Sequence, residues 1–403
     1  MFTSRVIDAP RSGSARTSDA GATAIAPTQR LVFIDNVRWA MIVLVLSMHA
    51  AVTYSPLGSW YYRERPHVGA LETLFFATYQ GLLQGFFMAL LFFVAGYFTP
   101  TSYDSKGPGG FMMSRLGRLG LPTLFYVAAL GPMTQALAFD WRGRGLSGEL
   151  GSYFASGRFL SGTGPMWFCV ALLIFCAGYV VVRAASARMT LLQEAAGRVT
   201  GAAGVALTVA AIALSTFVVR LWQPLGSSVL NMQLCYFPSY VVMFGLGVAA
   251  RRGRWLERIG DRFAILTAGA CVGGALAMWL PLLLLGGALE GRQPDYAGGA
   301  HWQSAALSVW EALVCVGMSF GVLALFRSRL GRQRAFSKFM SDNAFAVYVI
   351  HPPILVALAL ALAPLAASPI AKFVLLWVTG LVVCFGLAAP LARRVPRLGA
   401  ILQ

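Results

Sequence analysis

The stretch from Asp35 to His49, DNVRWAMIVLVLSMH, decides the fold. It is an apolar run of the kind that fills a bilayer, yet Arg38 sits near its start and His49 eleven residues later. An ionisable group in hydrocarbon costs free energy and persists only where it faces protein or a water-filled cavity. At about 100° per residue, eleven residues make three helical turns plus about 20°, so the two groups share one face, roughly 16 Å apart along the axis. Asp35, three residues before Arg38, is placed to pair with it near the end of the span and lower the cost of burying the guanidinium.

The rest of the chain has the same character. Its 403 residues are 58% hydrophobic and 12% charged, with a mean hydropathy of +0.68, more apolar than a soluble domain of this size can bury. Segments of about 20 apolar residues, the length that crosses the hydrocarbon as helix, recur throughout. Ten are expected: 31–54, 70–98, 113–139, 165–184, 200–221, 233–250, 262–287, 304–326, 343–363 and 369–392. The fold class is therefore an all-α integral membrane protein of about ten transmembrane helices.

A formal net charge of +17 suits either nucleic acid or the topological bias of a membrane protein. Position decides. With the N-terminus inside, 23 of the 32 basic residues fall at cytoplasmic ends, eight at outer ends, and Arg38 alone lies well inside a span. That split agrees with an even number of spans and both termini in the cytoplasm, and makes nucleic acid a poor explanation of the charge.

Residues 1–30 hold no apolar core of signal-peptide type and are expected to be a disordered cytoplasmic tail. A single multi-span domain is expected over 31–394, with 395–403 a short cytoplasmic tail. The six cysteines are scattered singly through spans, with no metal-ligand spacing, and read as inert buried thiols. The longest outer loops, about 140–164 and 287–303, are either solvated connectors or the surface that meets a polar substrate.

Each polar group inside a span has a bland reading beside a functional one. Arg38 alone would be a snorkelling anchor, but His49 lies in the outer half of its span, where a buried imidazole needs partners. Pro352 and Pro353 free the carbonyls of Tyr348 and Val349, so His351 is placed at a kink, as a structural histidine or as a wall of a cavity. Glu311 is an acidic group well inside a span. Trp167 reads as an interface anchor, Glu72 as interfacial, and His67 and His301 as solvated loop residues. A secondary transporter or flippase for a glycan or small anionic substrate would share these features, as would a multi-span sensor or scaffold.

Several segments, taken in order, resemble the acyltransferase-3 family of bacterial membrane acyltransferases. Arg38-x10-His49 resembles its Arg/Lys-x10-His signature. FFVAGYF (Phe92 to Phe98) is similar to its second-span element, with Ala95 where serine is common; RLGRLGLP (Arg115 to Pro122) resembles its Arg-x-x-Arg element. PMWF (Pro165 to Phe168), FPSYVVMFGLGVAARR (Phe237 to Arg252) and AFAVYVIHPPILV (Ala344 to Val356) follow collinearly. The IDNVR, AGYF and VYVIHPP segments look most like members that succinylate periplasmic glucans.

The resemblance implies a multi-pass protein of the bacterial inner membrane that moves an acyl group, acetyl or succinyl, from a cytoplasmic acyl-CoA to a hydroxyl of a cell-envelope or periplasmic carbohydrate. Donor and acceptor would approach from opposite faces, and the partners would be acyl-CoA, a carbohydrate acceptor and the lipid bilayer, with no nucleic acid and no permanently bound cofactor. Arg38, Arg115 and Arg118 are then expected to hold CoA phosphate or pantetheine, since guanidinium groups bind phosphate with a two-pronged donor set. His49 is expected as the general base for the sugar hydroxyl, or as the carrier of a covalent acyl-histidine. Asp35 orients Arg38; Tyr348, His351, Glu311 and Trp167 are candidates for the cavity wall or for structural roles.

Overall fold

The computed structural model describes residues 31–64, 68–139, 145–185 and 201–402. Within them, nine helical stretches are long and apolar enough to cross a membrane. One of these, Ala70–Ala138, has 69 residues. At 1.5 Å per residue it would span about 100 Å, some three times the hydrocarbon thickness. It breaks at Gly107 (φ 67°, ψ 173°), just before Pro108, and so supplies two spans.

The ten spanning helices among the described residues are α1 Val32–Tyr54, α2 70–106, α3 108–138, α4 Trp167–Ala185, α5 Ala202–Arg220, α6 Phe237–Gly253, α7 Asp261–Leu285, α8 Trp302–Arg329, α9 Ala335–Leu362 and α10 Pro369–Arg394. The protein is thus an all-helical, multi-pass membrane protein. Hydropathy located every span but clipped several ends. α2 continues to residue 106 and α9 begins at Ala335, because a helix continues past the hydrocarbon edge where polar residues such as Asp104 and Lys338 reach water.

Helix α1 is enclosed by α2, α8, α9 and α10. Of the two ionisable groups on its shared face, His49 is half-buried among these helices, whereas Arg38, near the start of the helix, is exposed, with 44% of its side chain open. Helices α2 and α6 cross so closely that a Cβ on Gly96 would lie 2.2 Å from the Phe244 carbonyl oxygen, and one on Gly247 2.1 Å from that of Phe93. Membrane helices associate by close van der Waals contact rather than by a hydrophobic drive. Gly96 of FFVAGYF and Gly247 of FGLGV are thus packing residues.

Prolines are accommodated in two ways. Pro122, Pro132 and Pro390 each follow by two residues the end of a π-helical turn: Leu116–Gly120, Tyr126–Leu130 and Val382–Ala388. A proline ring collides with the carbonyl four residues earlier and cannot donate to it, and one extra residue in the turn relieves the collision. In α9, Pro352 and Pro353 sit inside an unbroken α-helix. There a side chain answers the freed carbonyl, as described below.

On the outer side both long loops carry helical structure, Gly145–Ala155 in one and Ala288–Glu290 with Gln293–Ala297 in the other, so neither is a plain connector. The second folds over the end of α5: the Gly299 amide donates to the Arg220 carbonyl at 3.0 Å and the Leu225 amide to that of Ala297 at 2.7 Å. Arg220, counted by sequence among the outer-end charges, is consequently buried, with 0% of its side chain exposed. Residues 1–30 and His67 lie outside the described residues.

Candidate active site

His49 projects from the outer half of α1 into a group of rings. The loop after α1 turns back at Gly58, whose left-handed backbone (φ 86°) an L side chain rarely adopts, and lays Trp60 over the imidazole. The two rings stack at 3.6 Å between centroids and 14° between planes. A second tie holds this loop: Glu64 pairs with the buried Lys372 at 2.6 Å, and the Glu64 amide donates to the Thr53 carbonyl. Tyr61, in the same loop, lies 3.0 Å from the Tyr126 hydroxyl, and burial pushes its own hydroxyl up to about 12.

His351 lies on the other side of this group, brought by α9. Its ring centroid is 5.3 Å from that of His49, with planes 15° apart, and 6.2 Å from that of Trp60. The three centroid distances close a triangle with nearly a right angle at His49. Trp60 therefore covers the face of His49, while His351 lies beside it, nearly in the plane of its ring. Sequence had left His351 between cavity wall and kink residue; here it adjoins His49.

The α9 prolines explain the state of His351. Pro352 has no amide to give to the Tyr348 carbonyl, and the His351 Nδ1 sits 2.8 Å from that oxygen and 3.3 Å from the Val347 oxygen. Carbonyls only accept, so in the neutral ring Nδ1 carries the proton and Nε2 keeps a lone pair. Nε2, on the far side of the ring from its own helix, is buried without a hydrogen-bond partner. The Trp60 Nε1 is also buried without one. His49 is half-buried, and its ring nitrogens have no hydrogen-bond partner among the described residues. Tyr348 does not contribute an open hydroxyl, since its OH donates to the Pro165 carbonyl and ties α9 to the start of α4.

At the basic end of the same helix, Arg38 pairs with Asp35 at 3.3 Å and its guanidinium lies 4.7 Å from the centroid of the Phe98 ring. Phe98 belongs to the stretch of α2 that gathers further arginines. Arg251 donates through Nε to the Thr101 hydroxyl at 2.8 Å and covers Tyr97. Arg252 and Arg183 share Asp104, at 2.8 and 3.3 Å. Arg115 lies over Phe111, with its Nε buried and unpartnered. Arg118 is exposed, and the π turn Leu116–Gly120 between the two unsettles the shared face that an α-helix would give them. Arg183, Arg251 and Arg252 read from sequence as topological charges only; the double arginine closing α6 was the one signal available.

Other candidates have structural partners. Glu311 pairs with Arg220 at 2.5 Å inside the protein, and Arg220 also lies over Tyr236. Trp167 is half-buried in an aromatic cluster, stacked 5.7 Å from Tyr240, which takes a hydrogen bond from Gln84. Glu72 accepts from the Gly69 amide at the exposed start of α2, and His301 is 52% exposed, 4.0 Å from Asp295. A cavity of about 780 Å³, its mouth included, lies between α1, α2, α6 and α8 and is lined by Phe33, Phe93, Met243, Val316 and Arg327. Phe33 is turned by about 160° around α1 from His49, so this cavity opens on the other side of the helix.

A family model described as an acyltransferase domain, Acyl_transf_3, matches residues 31–392. No curated protein and no solved structure matches the chain. Among the classes that composition left open, the match selects an acyltransferase over a transporter or scaffold.

Proposed function

The chain belongs to the acyltransferase-3 family, and on that premise we propose that it transfers an acetyl or succinyl group from a cytoplasmic acyl-CoA to a hydroxyl of a cell-envelope or periplasmic carbohydrate. Its seat is the bacterial inner membrane. The observation that carries the reading is the placement of His49: a histidine with open ring nitrogens near the outer end of α1, on the helix face that holds Arg38 at the basic end. The roughly 16 Å between them suits the extended pantetheine arm of a donor whose phosphates stay at the arginines. Arg38 and Arg115 bind that anion, with Arg251 and Arg252 from the end of α6 held nearby against α2.

His49 is the general base. Its lone pair takes the proton of the acceptor hydroxyl as the oxygen bonds to the thioester carbonyl; the carbon–sulfur bond breaks and the leaving thiolate recovers the proton. A covalent acyl-histidine carrying the group outward uses the same geometry. The likeness of IDNVR, AGYF and VYVIHPP to glucan biosynthesis protein C supports succinyl as the group and a periplasmic glucan as the acceptor. Purified protein in liposomes is expected to release free thiol from acetyl-CoA or succinyl-CoA when supplied with acceptor. Mass spectrometry of envelope glycans from a deletion strain is expected to show the acyl group missing. Absence of thiol release with both donors and any envelope carbohydrate would defeat the reading.

A further inference from the structure

We infer that His351 is a positioning residue for His49: its Nε2 accepts the N–H of His49, which turns the other His49 nitrogen, lone pair outward, toward the acceptor hydroxyl. The inference rests on the acyl-transfer reading above for its chemistry, though not for its geometry.

Three observations support it. A histidine base works when its second nitrogen is held in one tautomer by an acceptor, usually a carboxylate. No acidic side chain among the described residues lies within ion-pair distance of either ring. The rings against the pair among the described residues are neutral: Trp60 from the loop and Tyr348 from α9. An acceptor that does adjoin His49 is the Nε2 of His351, buried without a partner, whose lone pair is fixed by the bond from Nδ1 to the carbonyl that Pro352 frees.

Distance fits as well. Imidazoles lying side by side at 5.3 Å between centroids bring facing nitrogens to about 3 Å, hydrogen-bond range. The bond is not closed in the structure. A half-turn of His49 about χ2 keeps it in the Trp60 stack and swaps its ring nitrogens with its ring carbons, so a nitrogen can be presented at the edge facing His351.

In the reaction, the hydroxyl proton moves to the outward nitrogen of His49 while the oxygen bonds to the thioester carbon. The cation so formed shares its other N–H with the neutral His351. When the carbon–sulfur bond breaks, the outward nitrogen returns its proton to the thiolate, and His351 neither gains nor loses one.

The test compares His351→Phe, which fills the space without an acceptor, with His351→Gln, whose amide oxygen accepts. In liposomes the phenylalanine variant is expected to lose about 10²-fold in kcat with the KM for acyl-CoA unchanged, and the acid limb of its pH–rate profile is expected to move. The glutamine variant is expected to recover much of the loss. Wild-type kcat and pH profile in the phenylalanine variant, or glutamine no better than phenylalanine at equal thermal stability, would overturn the inference. A second readout needs neither variant nor turnover. The chain has four histidines, so the imidazole nitrogens of the histidine-labelled protein are resolvable by ¹⁵N NMR. His351 is expected with Nδ1 protonated and Nε2 hydrogen-bonded to His49; a protonated His351 Nε2 sinks the pairing. If the wild-type protein transfers no acyl group, the proposed function fails, and the NMR result still decides the pair.

Discussion

Two of the polar pairs among the described residues, one charged and one of histidines, are built on opposite terms. Arg220 and Glu311 are unlike charges joined at 2.5 Å, with Ser308 and the Tyr236 ring around the guanidinium and an outer loop folded over the helix end. His49 and His351 are rings beside each other; Nδ1 of His351 is held by the Tyr348 carbonyl, while its Nε2 and the nitrogens of His49 have no hydrogen-bond partner among the described residues. The first arrangement cancels a cost that burial would impose. The second keeps a cost, because an unmet acceptor in a low-dielectric interior is unfavourable. Such open groups persist where a ligand completes them, which is why we propose the histidine pair as the site and the ion pair as scaffold.

Substitutions can break that division. The largest effect is expected at His49. His49→Ala should lower acyl transfer by about 10²- to 10⁴-fold, measured as thiol release, with the unfolding transition unmoved. Next comes Glu311→Ala, which strands a buried guanidinium and should cost about 3–5 kcal/mol of stability, read from the denaturant midpoint. The double change Arg220→Met with Glu311→Leu should recover most of that stability and retain transfer per folded molecule. Transfer lost in that stable double variant would make the ion pair catalytic and collapse the contrast.

Smaller effects sharpen it. Arg38→Ala and Arg115→Ala each remove a charged donor to phosphate and are expected to raise the KM for acyl-CoA about tenfold, with kcat little changed and the difference fading at high salt. Smallest is Trp60→Leu. Loss of the stack over His49 should lower kcat/KM by about two- to tenfold and leave stability near wild type. A larger stability loss than activity loss would make Trp60 part of the packing rather than of the site.

Much of this was legible before any coordinates, for reasons that differ by residue. The spans follow from apolar runs, and each was placed correctly apart from its ends, where the chain leaves the hydrocarbon as continuing helix. The break at Gly107 was legible too, since glycine and proline stand together there. Arg220 was misread because charge at a span end normally means solvent. Its burial depends on Glu311, 91 residues away, and on the fold of the loop above it. The cluster of Arg183, Arg251 and Arg252 along α2 was invisible for the same reason, each looking like an ordinary cytoplasmic charge.

Local rules alone settled what lies along one helix. The face shared by Arg38 and His49, and the carbonyl freed by Pro352 beside His351, follow from 3.6 residues per turn and from the missing proline amide. Only tertiary structure could decide that His351, some three hundred residues further on, stands in the plane of His49 while Trp60 covers its face. Those contacts arise from how α9 and the outer loop pack on α1, and packing between distant segments leaves no mark in the periodicity of either.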